Sequence, residues 1–178
     1  MRKQIFTAIA EKLLSVPGIT YVDLWNDNGS HFAGGAVYPL PAVFVEFETI
    51  EWHQQNNHAR RADINVRLHV LNRASAGIHG SQDPAMEEAL ARFDLLDSVN
   101  TAMQGLRGDN FAGFMHTVSA TNHAHDEILE DIECFRTSAQ DTTAMRHVSR
   151  IADLSVAIGK RDCLLVDGRG LTWAEKFV

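Results

Sequence analysis

Two successive runs of alternating apolar residues constrain this chain more than any other feature. Pro39 to Ile50 carries Val43, Val45 and Phe47 at every second position, and Arg61 to Leu71 carries Ile64, Val66, Leu68 and Val70. A period of two sends alternate side chains to opposite faces, so each run reads as a strand with one buried face and the pair as an antiparallel hairpin. The connection, Glu51-Trp-His-Gln-Gln-Asn-Asn-His-Ala-Arg60, is too long for a tight turn and too polar for a core. It is expected to project from the body as an arm, which suits an assembly protein better than an enzyme.

The rest of the chain supplies the layers around that hairpin. Ile5, Ile9, Leu13 and Val16, with Phe6 beside them, fall on one face of a helix that Pro17-Gly18 ends. Ile19 to Trp25 reads as a short strand, Asn26 to Ser30 as a turn cluster, and residues 31 to 41 as a loop. After a second loop from Asn72 to Gln82, Asp83-Pro84 provides an N-cap and a first helical position. Met86, Leu90, Phe93, Leu96, Met103 and Leu106 then mark the apolar side of a helix that stops near Gly105 or Gly108. Three strands are expected downstream. Phe114, His116, Val118 and Ala120 share the face of one, residues 131 to 138 form another, and Ala152, Leu154, Val156 and Ile158 alternate in the last. Helices that interrupt antiparallel strands without βαβ alternation indicate an α+β fold. The expected architecture is a single mixed, mainly antiparallel sheet with a long-armed hairpin and two helices packed on one face. One domain is expected over residues 1–159, followed by an extension over 160–178 that has no clear period.

Composition narrows the function classes. Of the 178 residues, 45% are hydrophobic and 22% charged, which is ordinary for a globular protein. A formal net charge of -7 gives no general support for nucleic-acid binding, and no sequence-specific nucleic-acid partner is expected. Cys134 and Cys163 have no C-x-x-C spacing and read as reduced thiols of a cytosolic protein. No run approaches the ~18 apolar residues of a membrane helix. Met1 to Ala10 continues into an amphipathic pattern with Glu11 and Lys12, which argues against a signal peptide.

Candidate chemistry is sparse. His123, His125 and Asp126 could offer neutral imidazoles and a carboxylate to a metal, but three groups in one short span need further ligands. Glu46 and Glu48 lie opposite the Val43, Val45, Phe47 row, and Arg67 and His69 occupy the matching face of the partner strand. Cross-strand charge pairing accounts for both sets better than acid–base catalysis. Arg60, Arg61, Arg67 and Arg73 make the second strand locally basic, and Trp52 is an interface anchor if exposed and a core residue if the arm folds back. Trp52, His53, Arg60, Arg61 and Arg67 are therefore the interface candidates. Walker, G-x-G-x-x-G and G-x-S-x-G motifs are absent, so no catalytic residue, metal or cofactor is assigned.

Several stretches together resemble the tail-terminator and tail-completion proteins of tailed bacteriophages and prophages, a group of minor tail and head–tail joining proteins. They are Ser15-Val-Pro-Gly18, Tyr21-Val-Asp-Leu-Trp25, Pro39-Leu-Pro-Ala-Val-Phe-Val-Glu46 with its hairpin, Phe93-Asp-Leu-Leu-Asp-Ser-Val99 with Leu106, and Asp131-Ile-Glu-Cys-Phe-Arg-Thr137 with Asp141. The likeness covers about residues 2 to 158 and is one of element order and hydrophobic texture. It implies a small non-enzymatic α+β subunit, made in the bacterial host cytoplasm and incorporated in the virion. Such subunits form a homo-oligomeric ring, typically hexameric, that caps the tail tube, halts its growth and meets the head–tail connector. Two other readings stand beside it: a small metal-dependent enzyme centred on His123, His125 and Asp126, and an adaptor that engages a protein partner through the arm.

Overall fold

The computed structural model describes residues 1–33, 38–73, 84–123, 128–145, 164–167 and 170–173. Helix α1 (Arg2–Leu14) buries Ile5, Ile9 and Leu13, one residue per turn, and turns Arg2, Lys3 and Glu11 to solvent. The Ser15 hydroxyl donates to the Lys12 carbonyl at 2.6 Å. Gly18 then takes φ +92°, a left-handed conformation in which a Cβ is strained, and releases the chain. Strand β1 (Tyr21–Leu24) lies parallel to β2 (Ala42–Phe47). Between them Asn28–Ala33 forms a short helix, α2, where the sequence reading had a turn cluster and a loop. Local side-chain bonds explain the difference: Asn28 Oδ1 accepts from the Asn26 N–H at 2.7 Å, and the Ser30 hydroxyl donates to Asp27 at 3.1 Å. Asn, Asp and Ser support a first helical turn by the same bonds that close a reverse turn.

The second strand of the hairpin is longer than its alternation suggests, and its other edge is paired as well. Strands β4 (Arg60–Arg73) and β6 (Ile128–Asp141) each run fourteen residues and pair antiparallel from Arg60↔Asp141 to Arg73↔Ile128. At ~3.3 Å per residue this ribbon spans about 45 Å. Strand β2 covers only Val66 to Leu71 of it. The polar connection does not project as a free arm. His53–Gln54, β3, pairs back on Arg60–Arg61, and a 3-10 turn at Asn56–His58 closes the loop. The asparagine and histidine of that turn, Asn57 and His58, adopt left-handed φ of 57° and 63°.

Helix α3 (Pro84–Met103) begins at the expected proline. It ends at Met103, just before Gly105 at φ +76°, so Leu106 lies beyond it. Strand β5 (Met115–Asn122) completes a six-stranded mixed sheet of order β1-β2-β4-β6-β5, with β3 attached to β4. The fold is α+β. Helices α1 and α3 lie against one face, where Ile5, Ile9 and Leu13 meet Leu96, Val99 and Met103 over Val43, Val45, Ile64, Val66 and Phe135.

Three expectations about faces are corrected. First, Phe114, His116, Val118 and Ala120 do not share one face. The register slips between His116, opposite Phe135, and Val118, opposite Cys134. One extra residue in a bulge sends Val118 and Ala120 to the other side of the sheet. Second, the far side of the hairpin is not wholly solvated. Ala42, Phe44, Leu71 and Ile128 form a second buried cluster there, covered by Tyr21, Trp25, Tyr38 and Leu40. Third, the apolar row of α3 is buried only in its C-terminal half, and Leu90 and Phe93 are each 50% exposed.

The chain divides into two compact units, Met1–Arg146 and His147–Val178. In the second, Leu164–Asp167 (β7) and Gly170–Trp173 (β8) form an antiparallel pair within the stretch that showed no period in sequence. The strand expected over Ala152 to Ile158 lies outside the described residues, as does the expected N-cap Asp83.

Candidate interaction surface

The five interface candidates separate into pinned and exposed groups. Trp52 is half-buried and packs against the main core, and the Arg60 guanidinium sits 4.6 Å from its ring centroid. Arg60 also reaches Asp141 at 2.7 Å through its terminal nitrogen and at 3.0 Å through Nε. The Thr143 amide and hydroxyl add hydrogen bonds to Asp141 at 3.0 and 2.7 Å. These donors, the Thr143 pair first and Arg60 after it, hold the Asp141 carboxyl down at about 2. Trp52 and Arg60 thus close the far end of the ribbon. His53 and Arg61, paired across β3 and β4, remain exposed.

Arg67 joins a row on the face away from the helices. It meets Glu48 at 2.6 Å and Glu46 at 3.6 Å, and Glu46 also reaches His69 Nε2 at 3.1 Å. The other ring nitrogen of His69 faces Glu130 at 2.5 Å, and the Asn122 amide donates to Glu130 at 2.7 Å. Trp25 stacks flat on the imidazole, with centroids 3.7 Å apart and an interplanar angle of 4°. His69 is 4% exposed and Glu130 2%. Cross-strand pairing of Glu46 and Glu48 with Arg67 and His69 is therefore the geometry present. Both nitrogens of His69 are engaged, so neither offers a free ligand position. In sequence Glu130 reads, with Asn122, Glu127 and Asp131, as part of a solvated loop. The structure instead buries it in β6, because local polarity carries no signal of the partners that distant strands supply. Tyr38 lies beside this row, and burial, then the Glu130 charge, push its hydroxyl up to about 12.

On the helix-covered side, Glu133 Oε2 receives the Ser119 hydroxyl at 2.6 Å and faces His116 Nε2 at 2.6 Å. Ser119 Oγ and the same Nε2 are 3.2 Å apart. A serine relay places the hydroxyl and the carboxylate on opposite nitrogens of the imidazole. Here the hydroxyl and one imidazole nitrogen converge on the same carboxylate oxygen, which makes a polar clamp and not an activated nucleophile. Cys134, opposite Arg67 on the other face, has its thiol pushed up by burial against a smaller opposing effect of Arg67. That shift works against thiolate chemistry.

Of the metal candidates, His123 is described and His125 and Asp126 lie outside the described residues. Among the described residues no group of three or more histidine, cysteine or carboxylate side chains could hold a metal ion.

The β5 edge is a weakly protected surface. Seven of its eight residues are exposed, Met115 at 57% and Val118 at 54%, and among the described residues it pairs only with β6. Its sequence, Met-His-Thr-Val-Ser-Ala-Thr-Asn, contains no Lys, Arg, Asp, Glu or Pro. Ile132 and Cys134, both partly buried, continue its outward apolar face on β6. The opposite edge is β1, four residues long, with Leu24 52% exposed. Among the described residues no helix is long and apolar enough to cross a membrane. No family model and no curated protein matches this chain.

Proposed function

We propose that this protein is a structural, non-enzymatic subunit of a phage or prophage virion, and that it assembles into a ring that terminates or completes the tail and joins it to the head. The β5 edge carries the reading. Soluble proteins commonly blunt an edge strand with charge, proline or a short length. This one is eight residues long, holds no Lys, Arg, Asp, Glu or Pro, and carries the exposed apolar side chains Met115 and Val118, the composition of a strand that is covered in its working state.

The sheet also ends in two different edges, β5 and the shorter parallel β1. Contact between unlike surfaces is heterologous and propagates until a rotation closes it, which is how rings form. Resemblance supplies the rest: a typically hexameric ring, tail-tube and head–tail connector partners, residence in the virion, and synthesis in the host cytoplasm. The polar clamps at Glu130 and Glu133 are compatible with a scaffold role because each carboxylate is consumed in internal bonds.

The test is solution mass by light scattering across a concentration series, on the wild type and on Met115→Lys/Val118→Lys. A wild-type ring that falls to monomer in the variant, with unchanged far-UV circular dichroism, is expected. Wild type that stays monomeric both alone and with purified tail tubes would overturn the proposal. So would rings that the double variant leaves intact, because they would use another surface.

A further inference from the structure

We propose that the cavity between β4, α3 and the Tyr38–Pro41 segment binds a protein segment in which a carboxylate side chain adjoins aliphatic or aromatic residues. This site is separate from the β5 edge and does not depend on ring formation. Its volume is about 740 Å³, within the range of pockets that enclose several side chains.

Polar groups on one wall call for an acceptor. Asn72, near the end of β4, is 9% exposed, and its Nδ2 has no hydrogen-bond partner. A buried amide donor without an acceptor is destabilising; the nitrogen is closed to solvent as it stands, and a rotation of the side chain toward the cavity would let an entering oxygen relieve it. Beside it Arg73 is exposed and, among the described residues, has no ion pair. The other cation, Arg92, is already used: its Nε lies 3.4 Å from Asp131 and its guanidinium 4.7 Å from the Phe93 ring. That ion contact is too poorly aligned to count as a hydrogen bond, so Arg92 Nε and Asp131 Oδ2 both remain without one. No Asp or Glu lines the cavity among the described residues. On a chain of net charge -7 this is, among the described residues, a locally positive recess with one unpaired guanidinium, matched to one carboxylate.

The remaining surface says what carries that carboxylate. Leu129 and Pro39 line the cavity, and Leu90 and Phe93 stand at its α3 side, each half exposed. Apolar surface therefore continues from the cavity onto the helix. A small carboxylate would leave that rim uncovered, whereas an extended chain with an apolar residue next to its Asp or Glu covers both. The exposure of Leu90 and Phe93, anomalous for an amphipathic core helix, has its explanation in this role.

The experiment probes a random peptide array with the full chain, and repeats it with Arg73→Gln and with Leu90→Asp. Enriched peptides are expected to carry Asp or Glu beside Leu, Ile, Phe or Trp. Exchanging that acid for its amide is expected to weaken binding by about tenfold or more, and Arg73→Gln to abolish the discrimination. Peptides selected without an acidic residue, or binding that both variants retain, would overturn the proposal, as would an array with no enriched peptide. Binding of hexanoate in the absence of peptide binding would replace the protein segment by a small-molecule acid. A fall in oligomer mass with Arg73→Gln alone would make a second copy of this chain the occupant.

Discussion

Asp141 accepts four hydrogen bonds, two from Arg60 and two from Thr143, and its behaviour with pH follows from them. Its folded pKa is lowered from 3.8 to about 2 by Thr143 and Arg60. A depressed carboxylate stabilises the fold fully above its unfolded value, and that contribution is lost as pH falls through the folded value. Unfolding midpoints in urea are therefore expected to fall between pH 4 and pH 2. Asp141→Asn is expected to remove this part of the acid dependence and to cost roughly 2 kcal/mol at neutral pH. His69 poses the opposite problem, since two carboxylates converge on one imidazole beneath Trp25. Replacing it leaves Glu130 buried with part of its hydrogen bonding gone. His69→Leu is expected to destabilise by about 3 kcal/mol in equilibrium urea unfolding. A loss under ~0.5 kcal/mol would mean that the network is not worth its desolvation.

Among the elements, β6 shows how a strand can be central without looking apolar. Its helix-facing positions include Asp131, Glu133 and Thr137, each buried and each bonded or ion-paired. The apolar anchor of that face is Phe135, fully buried opposite Val66. Phe135→Ala is expected to cost about 3–5 kcal/mol in the same assay, as a cavity in a close-packed core. Such burial also explains why the alternation of residues 131 to 138 is imperfect in sequence: polar side chains take core positions once neighbours such as Ser119, Thr121 and Arg92 supply partners. The β5 bulge is a second case. It reverses the faces of Val118 and Ala120, and thereby exposes the apolar edge on which the assembly proposal rests.

For the molecule as a whole, the sheet, the two covering helices and both apolar clusters belong to the unit ending at Arg146. A chain truncated there is expected to unfold cooperatively in a thermal melt. Non-cooperative melting would show that residues beyond Arg146 contribute to that core. Local signals in the sequence determined the α+β class, the first helix, the hairpin's buried face and the start of α3 at Pro84. Period two, period 3.6 and a helix-starting proline act within a few residues of themselves, so no tertiary information is needed to read them. Tertiary structure alone decided that β4 pairs with β6 over fourteen residues, that Trp52 is held under Arg60, and that Glu130 and Asn72 are buried. It also decided which half of α3 stays open. Each of these depends on which distant strand or helix arrives to pair, cover or donate, and residues separated by up to 81 positions in the chain leave no local pattern.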